Sequence, residues 1–403
     1  MSKTPTVDAR LARNRLLLTA AVLPVFIGLM ALSTTASESL GFFEMVTGVV
    51  VGSGVVALVT RPVWWLVIPG FFGVRPRAVV LGTGRFTSGR ATGGRIPRLR
   101  RTRSTGWAVV PVAGAGVARW RIWAAYALPA LVEVALAVAA WRVSPVPWGS
   151  AVALGMLAGC GILHIVTPGV SATPAWMLLR LPTADARAVE QVTQDAAEER
   201  AQRAILVGDL AECRAVLAEA SATRPYTAAL KCQLALAEGR YGDAAALAAE
   251  HGPSQPEYSV ARALFAQYLV RARCYAREER GPRSFPAVEE IEAAMAEGLS
   301  SVAATRSTDA QALYWLARGN TKRAAGSAAQ ARGVVVGPYA AAHLECTIAL
   351  VETVRNRPER AAKALADART LAPDLPRIAA VERWCAPGAR PLGPHAVSEP
   401  TLE

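Results

Sequence analysis

Long apolar runs crowd the first 180 residues, and shorter amphipathic segments fill the rest. Leu16–Leu32, Met45–Val67, Ile122–Trp141 and Trp148–Val170 each supply about the 20 residues that a bilayer core needs. They predict spans over 16–32, 45–67, 122–141 and 148–170. Trp64, Trp65, Trp120, Trp123, Trp141 and Trp148 flank or end these runs, where interfacial aromatics gather. STTAS follows the first run and invites a signal-peptide reading. The tail before it is long and the run exceeds a usual signal core, so a retained span is expected.

Between the second and third runs the pattern turns short and β-like. RAVVLG and GWAVVPVAGAG read as strands, with GTGRFTSGRATGG as turns between them. β-Hairpins are expected there, at the membrane face. GTGRFTSG lacks the third Gly of a dinucleotide fingerprint, and no Gly-Lys-Ser/Thr follows, so neither nucleotide motif is present.

From residue 183 the chain becomes helix-length Ala- and Leu-rich segments punctuated by Gly, Asn and Pro. YTAALKCQLALAEGRYGDAAALAAEHGP, 226–253, reads as helix, corner, helix and is similar to a tetratricopeptide unit. Comparable corners fall at 208, 239, 319 and 356, separated by 31, 80 and 37 residues. The long gap leaves room for one more pair, 257–277 with 287–299, giving about five helical hairpins. That resemblance implies a solenoid whose concave face binds protein partners.

The predicted fold is therefore mainly α. A tail, 1–15, precedes a polytopic membrane domain, 16–182, with a β-rich insertion at 71–118. A TPR-like repeat domain, 183–386, and a disordered tail, 387–403, follow.

Charge sets the orientation. The net charge is +13, and nine Arg with no acidic residue lie between Phe71 and Trp107. They are Arg75, Arg77, Arg85, Arg90, Arg95, Arg98, Arg100, Arg101 and Arg103. Standing between apolar runs, they place the loop, both termini and the repeat domain on the cytoplasmic side of a bacterial membrane. Arg75, Arg77, Arg98, Arg100, Arg101 and Arg103 are expected to meet anionic lipid head groups. No stacking aromatics interleave with them, so a nucleic-acid site is not expected. The six Cys show no C-x-x-C spacing, which fits a reduced chain without disulfides or a zinc knuckle.

Three ionisable residues stand inside apolar runs: Arg61, Glu133 and His164. Such groups are costly in lipid and tend to face a bundle interior. Arg61 either reaches the interface on its long stem or pairs with Glu133. His164 is read as a hydrogen-bonded bundle residue rather than a metal ligand.

FFGVRPRAVVLGTG (71–84) and LHIVTPGVSATPAWMLLRLP (163–182) together give the chain a family likeness. Over 45–182 it resembles the site-2 proteases, intramembrane zinc enzymes with an H-E-x-x-H span, a following FGV and β-rich loop, and a late N-x-x-P…D-G segment. In that family two His and an Asp hold zinc and the Glu activates water. Counting back from Phe72-Gly73-Val74 puts Arg61 and Trp65 at the two His and Pro62 at the Glu. Pro129 keeps a family Pro, His164 stands at the Asn, and Pro174 replaces the Asp. The resemblance thus implies a protease core without metal, cofactor or catalytic residue. The residues leave two other readings open: a zinc peptidase with non-standard ligands, and a small transport or channel component.

Overall fold

The computed structural model describes residues 42–55, 61–82, 99–102, 108–143, 151–157, 174–190, 192–220, 224–255, 259–280, 288–298, 308–332, 335 and 337–386. These divide into two compact units that part between Asp195 and Ala196.

In the first unit, α1 (Phe42–Val55) and α2 (Arg61–Phe71) derive from the second apolar run. α1 lies backbone to backbone on helical residues 151–157. A Cβ on Gly52 would come within 1.9 Å of the Val152 carbonyl oxygen, and one on Gly155 within 2.3 Å of the Val49 oxygen. α2 stops at Gly73, whose φ of +76° only a residue without Cβ adopts freely. That turn delivers the chain straight into β1 (Val74–Gly82).

The sheet has the order β2-β1-β3-β4, with β2 at Leu99–Thr102, β3 at Ala108–Gly114 and β4 at Thr193–Gln194. The expected strands form, but the expected hairpins need correcting. Only β1 and β3 pair antiparallel, with Val74 opposite Ala113, whereas β2 runs parallel to β1. The β1–β3 register slips between Pro76 and Ala78, where Pro76 faces Pro111 and neither can donate to the ladder.

α3 (Arg119–Val143) begins earlier than expected. Its stretch Arg119–Ala140 is, among the described residues, the one helix long and apolar enough to cross a membrane. The expected span 16–32 lies outside the described residues. The span 45–67 is represented by α1 and α2, and 148–170 by residues 151–157. α4 (Pro174–Leu179), a 3-10 turn at Leu181–Thr183 and α5 (Ala186–Glu190) complete the unit. Val74, Ala113, Ile122, Tyr126, Trp176 and Leu181 share one small core, against which Ala184, Ala188 and Val192 also pack. β4 adds a parallel edge to β3. These contacts carry the first unit on to Asp195, beyond the boundary expected at 182.

The second unit is helical throughout its described residues. Its hairpins are α6 (Ala196–Val207) with α7 (Leu210–Glu219), and α8 (Pro225–Ala237) with α9 (Tyr241–His251). α10 (Val260–Glu279) pairs with α11 (Val288–Gly298), and α12 (Ala310–Ala317) with α13 (Thr321–Arg332). α14 (Pro338–Val354) pairs with α15 (Pro358–Leu371), and α16 (Arg377–Cys385) ends the array. The four corners read from sequence are the four places where these hairpins turn through a left-handed residue. Gly208, Gly239, Gly319 and Asn356 have φ of +87°, +77°, +70° and +56°. Gly and Asn tolerate that region best.

The array closes on itself. His343 Nε2 in α14 lies 3.2 Å from the Leu236 carbonyl oxygen in α8. Trp384 Nε1 in α16 donates to the Glu278 carbonyl in α10 at 2.9 Å. A Cβ on Gly239 would sit 2.9 Å from Pro376, so the second corner is seated on the last turn. The chain's own final helices thus pack onto α8, α10 and the Gly239 corner, on the side of the array where a partner-binding concave face was expected.

Candidate functional site

Of the four positions singled out from the resemblance, three share one helix and the fourth opens another. Arg61, Pro62 and Trp65 lie in the first turns of α2 and Pro174 opens α4; both helices pack against α3. The side chains of these four residues, and all of His164, lie outside the described residues. Glu133 stands in α3 and is fully buried. The helices of Arg61 and Glu133 are thus neighbours. Arg75 and Arg77 are carried by β1 and Arg100 and Arg101 by β2, while Arg98 and Arg103 fall outside the described residues.

α3 is patterned inside out for a helix in water. Its exposed large apolar side chains below the first turn are Leu128, Leu131, Val134, Leu136 and Val138, while its one carboxylate, Glu133, is buried along with Ile122, Ala125, Tyr126 and Ala137. Water-soluble helices present charge outward and bury apolar residues. Ionisable groups within membrane-spanning helices tend likewise to face a bundle interior. Twenty-two residues at about 1.5 Å each span about 33 Å, close to a bilayer core of about 30 Å. Its first turn differs: Arg119, Trp120, Arg121 and Trp123 are all exposed there, the mix favoured at a lipid–water boundary.

The second unit holds an enclosed ionic cluster in the closed inner face. Arg377 grips Glu278 with two bonds, Nε to Oε2 at 2.7 Å and Nη2 to Oε1 at 2.8 Å. Its Nη1 also reaches Asp309 Oδ2 at 3.1 Å and the His343 carbonyl at 2.6 Å. Asp309 receives Arg271 Nε at 2.8 Å, the Tyr275 hydroxyl at 2.8 and 2.9 Å, and the Thr347 hydroxyl at 2.5 Å. Tyr275 is held between rings and charge: His343 stacks on it at 4.7 Å, and the Arg377 guanidinium carbon lies 3.7 Å from its centroid.

Electrostatics follow from enclosure. Two guanidinium and two carboxylate charges balance, so the cluster is neutral. Arg271 and Arg377, with the Thr347 hydroxyl, outweigh burial and hold the Asp309 carboxyl well below the usual range. Burial, then Arg271 and Arg377, push the His343 imidazole well below its ordinary value, so it is neutral. With Nε2 donating to Leu236, Nδ1 is left as a buried acceptor without a described partner. Burial pushes the thiols of Cys213, Cys232 and Cys346 up to about 12, so they are inert at neutral pH. Among the described residues no three His, Cys, Asp or Glu are placed to hold a metal ion. The cluster's carboxylates are saturated by their own partners and closed to solvent. Its chemistry is that of a lock between α10, α12, α14 and α16.

Open surface lies outside that lock. One cleft of about 520 Å³ is lined by Leu210, Arg214, Ala237, Glu238, Arg240 and Asp374 with Pro376. Glu238 ties both of its arginines, through hydrogen bonds from Arg214 and from Arg240. A second cleft, of about 400 Å³, is lined by Arg273, Ala276, Arg277, Arg280 and Glu290. Val207 is the only large apolar side chain exposed among this unit's described residues.

Sequence reasoning missed two features. Gly48 and Gly52, spaced by four, lie against Ala151 and the Val152 backbone, and Gly155 lies against the Val49 backbone; small-x-x-x-small spacing in an apolar run is a readable sign of close helix crossing. The ionic cluster had no such sign, since Glu278 and Arg377 are 99 residues apart. Set against known protein families, curated proteins and solved structures, the chain matches none of them.

Proposed function

We propose that the chain is a multi-pass membrane protein whose site-2 protease-like core is non-catalytic, and that its helical unit, similar to tetratricopeptide arrays, binds protein partners at the cytoplasmic face. The inside-out patterning of α3, with exposed apolar side chains and a buried Glu133, carries the membrane part of this reading. The non-catalytic part rests on side-chain chemistry. Arg at Arg61 stays protonated, Trp at Trp65 offers no lone pair to a metal, and Pro at Pro62 and Pro174 offers no side-chain donor or base. A zinc hydrolase needs about three protein ligands and an open position, and those positions supply none.

The partner surface differs from the concave groove first expected. The charged outer clefts around Arg214–Glu238–Arg240 and Arg273–Arg277–Glu290 are two accessible features among the described residues. A partner seated there would present charged groups. Photo-cross-linking from Arg240 and Arg277 positions in the full chain, in intact membranes, tests this. Discrete protein adducts from the clefts, absent from a probe at Thr347, are expected. No adduct from either cleft, or cleavage of a membrane peptide by the purified protein, would overturn the reading.

A further inference from the structure

We infer that the exposed start of α3 and the adjoining 178–183 segment form a binding site for the phosphodiester head group of an anionic phospholipid. This deepens the membrane placement proposed above and rests on it. The two segments are tied together: Trp123 Nε1 donates to the Leu178 carbonyl at 3.1 Å, and Arg119 Nη1 to the Pro182 carbonyl at 3.3 Å. Leu181, between them, is fully buried in the same core as Ile122. The ties set Arg119 beside the segment that carries Arg180, and Arg121 follows two residues later on the next face of the same helix start, all three exposed.

Charge makes that neighbourhood an anion site. Between Met45 and Ala184 the sequence holds a single acidic residue, Glu133, and it is fully buried within α3. The next carboxylate, Asp185, caps the Ala188 amide through Oδ1 at 2.7 Å. Arg119 has one donor engaged by Pro182, and a guanidinium carries five. The Arg121 guanidinium carbon lies 5.8 Å from the centroid of the Trp120 ring, and its side chain is exposed. Apolar surface adjoins the three cations: Trp120 is 64% exposed and Leu179 59%. A ligand that answers both features has an anionic head and acyl chains. Trp at head-group depth with Arg beside it sets the height of α3 in the bilayer.

The full chain reconstituted in nanodiscs of mixed phosphatidylglycerol and phosphatidylcholine gives the test, with lipids retained on release into detergent identified by native mass spectrometry. Wild type is expected to retain phosphatidylglycerol selectively. The triple change Arg119→Gln, Arg121→Gln, Arg180→Gln should weaken retention by about fivefold for each charge removed, while the corresponding triple Lys variant keeps most of it. Excess inorganic phosphate should not displace the lipid; displacement would mean a free-phosphate site and overturn the inference. Selectivity that survives the triple Gln change but is lost when Arg98, Arg100, Arg101 and Arg103 become Gln would assign binding to the loop instead. A chain stripped from membranes by alkaline carbonate refutes the membrane placement itself. An integral chain without lipid selectivity refutes this inference alone.

Discussion

Arg377 and Glu278 are both fully buried and meet through two parallel bonds, although 99 residues separate them. The pair joins the last helix to the middle of the array and so fixes its closure. Removing one partner of such a pair strands the other charge, at a cost of about 3–5 kcal/mol. Arg377→Met should therefore destabilise the helical unit by about that amount. The double change with Glu278→Leu should recover much of the loss, because Asp309 keeps Arg271 at 2.8 Å. Urea unfolding of the two singles and the double measures the coupling; additive effects would show that the bidentate contact does not hold the array shut.

The closed inner face also predicts a pH dependence. His343 is held neutral by burial and by Arg271 and Arg377, so its folded pKa lies below its unfolded value of about 6.5. The unfolded chain then binds more protons as pH falls. The stabilising contribution is present above about pH 6.5 and is lost as pH drops toward the folded pKa, by up to about 1.4 kcal/mol per unit. Asp309, also depressed, has the same sign, but its contribution persists to more acidic pH, below about 4. His343→Gln should remove the upper slope and leave the acid one. Equal urea midpoints for wild type at about pH 7.5 and about pH 5.5, above and below the unfolded His value, would contradict this.

In the first unit, Gly52 touches the Val152 backbone, whereas Gly54 has open space where a Cβ would go. Gly52→Ala should force the helices apart and cost about 1–3 kcal/mol. Gly54→Ala should be close to neutral. Thermal unfolding of the full chain in detergent compares them, and equal effects would mean that α1 and residues 151–157 are not in backbone contact.

Metal content bears on the missing chemistry. Protein purified from membranes is expected to carry far less than one zinc per chain, since Arg61, Trp65 and Pro174 stand where the resemblance puts ligands. Stoichiometric zinc that disappears on His164→Ala would revive the peptidase with non-standard ligands.

The corners at Gly208, Gly239, Gly319 and Asn356 were legible in the sequence because few residue types accept a left-handed backbone, so the constraint is written locally. The strands of RAVVLG and AVVPVAG were legible for a similar reason, through β-branched runs bounded by Gly. The parallel partner of β1 was not, because Leu99–Thr102 has no local pattern that fixes its direction. Nor was β4, a two-residue strand whose edge position depends on β3. The cluster of Arg271, Glu278, Asp309, His343 and Arg377 was illegible for a deeper reason. Each residue reads as an ordinary polar position of its own helix, and closure of the array alone brings them together. Gly48 and Gly52 were spaced legibly, but hydropathy treats them as part of one apolar run.

Membrane placement is the claim on which the rest depends. An impermeant maleimide applied to intact cells can read it from two single substitutions in the full chain, Ser144→Cys after α3 and Ser88→Cys in the Arg-rich loop. The native thiols of Cys213, Cys232, Cys274 and Cys346 are buried, and Cys160 and Cys385 are changed to Ser in both variants to remove their background. The account predicts labelling of Ser144→Cys in intact cells and of Ser88→Cys only after lysis. Labelling of Ser88→Cys with protection of Ser144→Cys, or the same response from both, would contradict it.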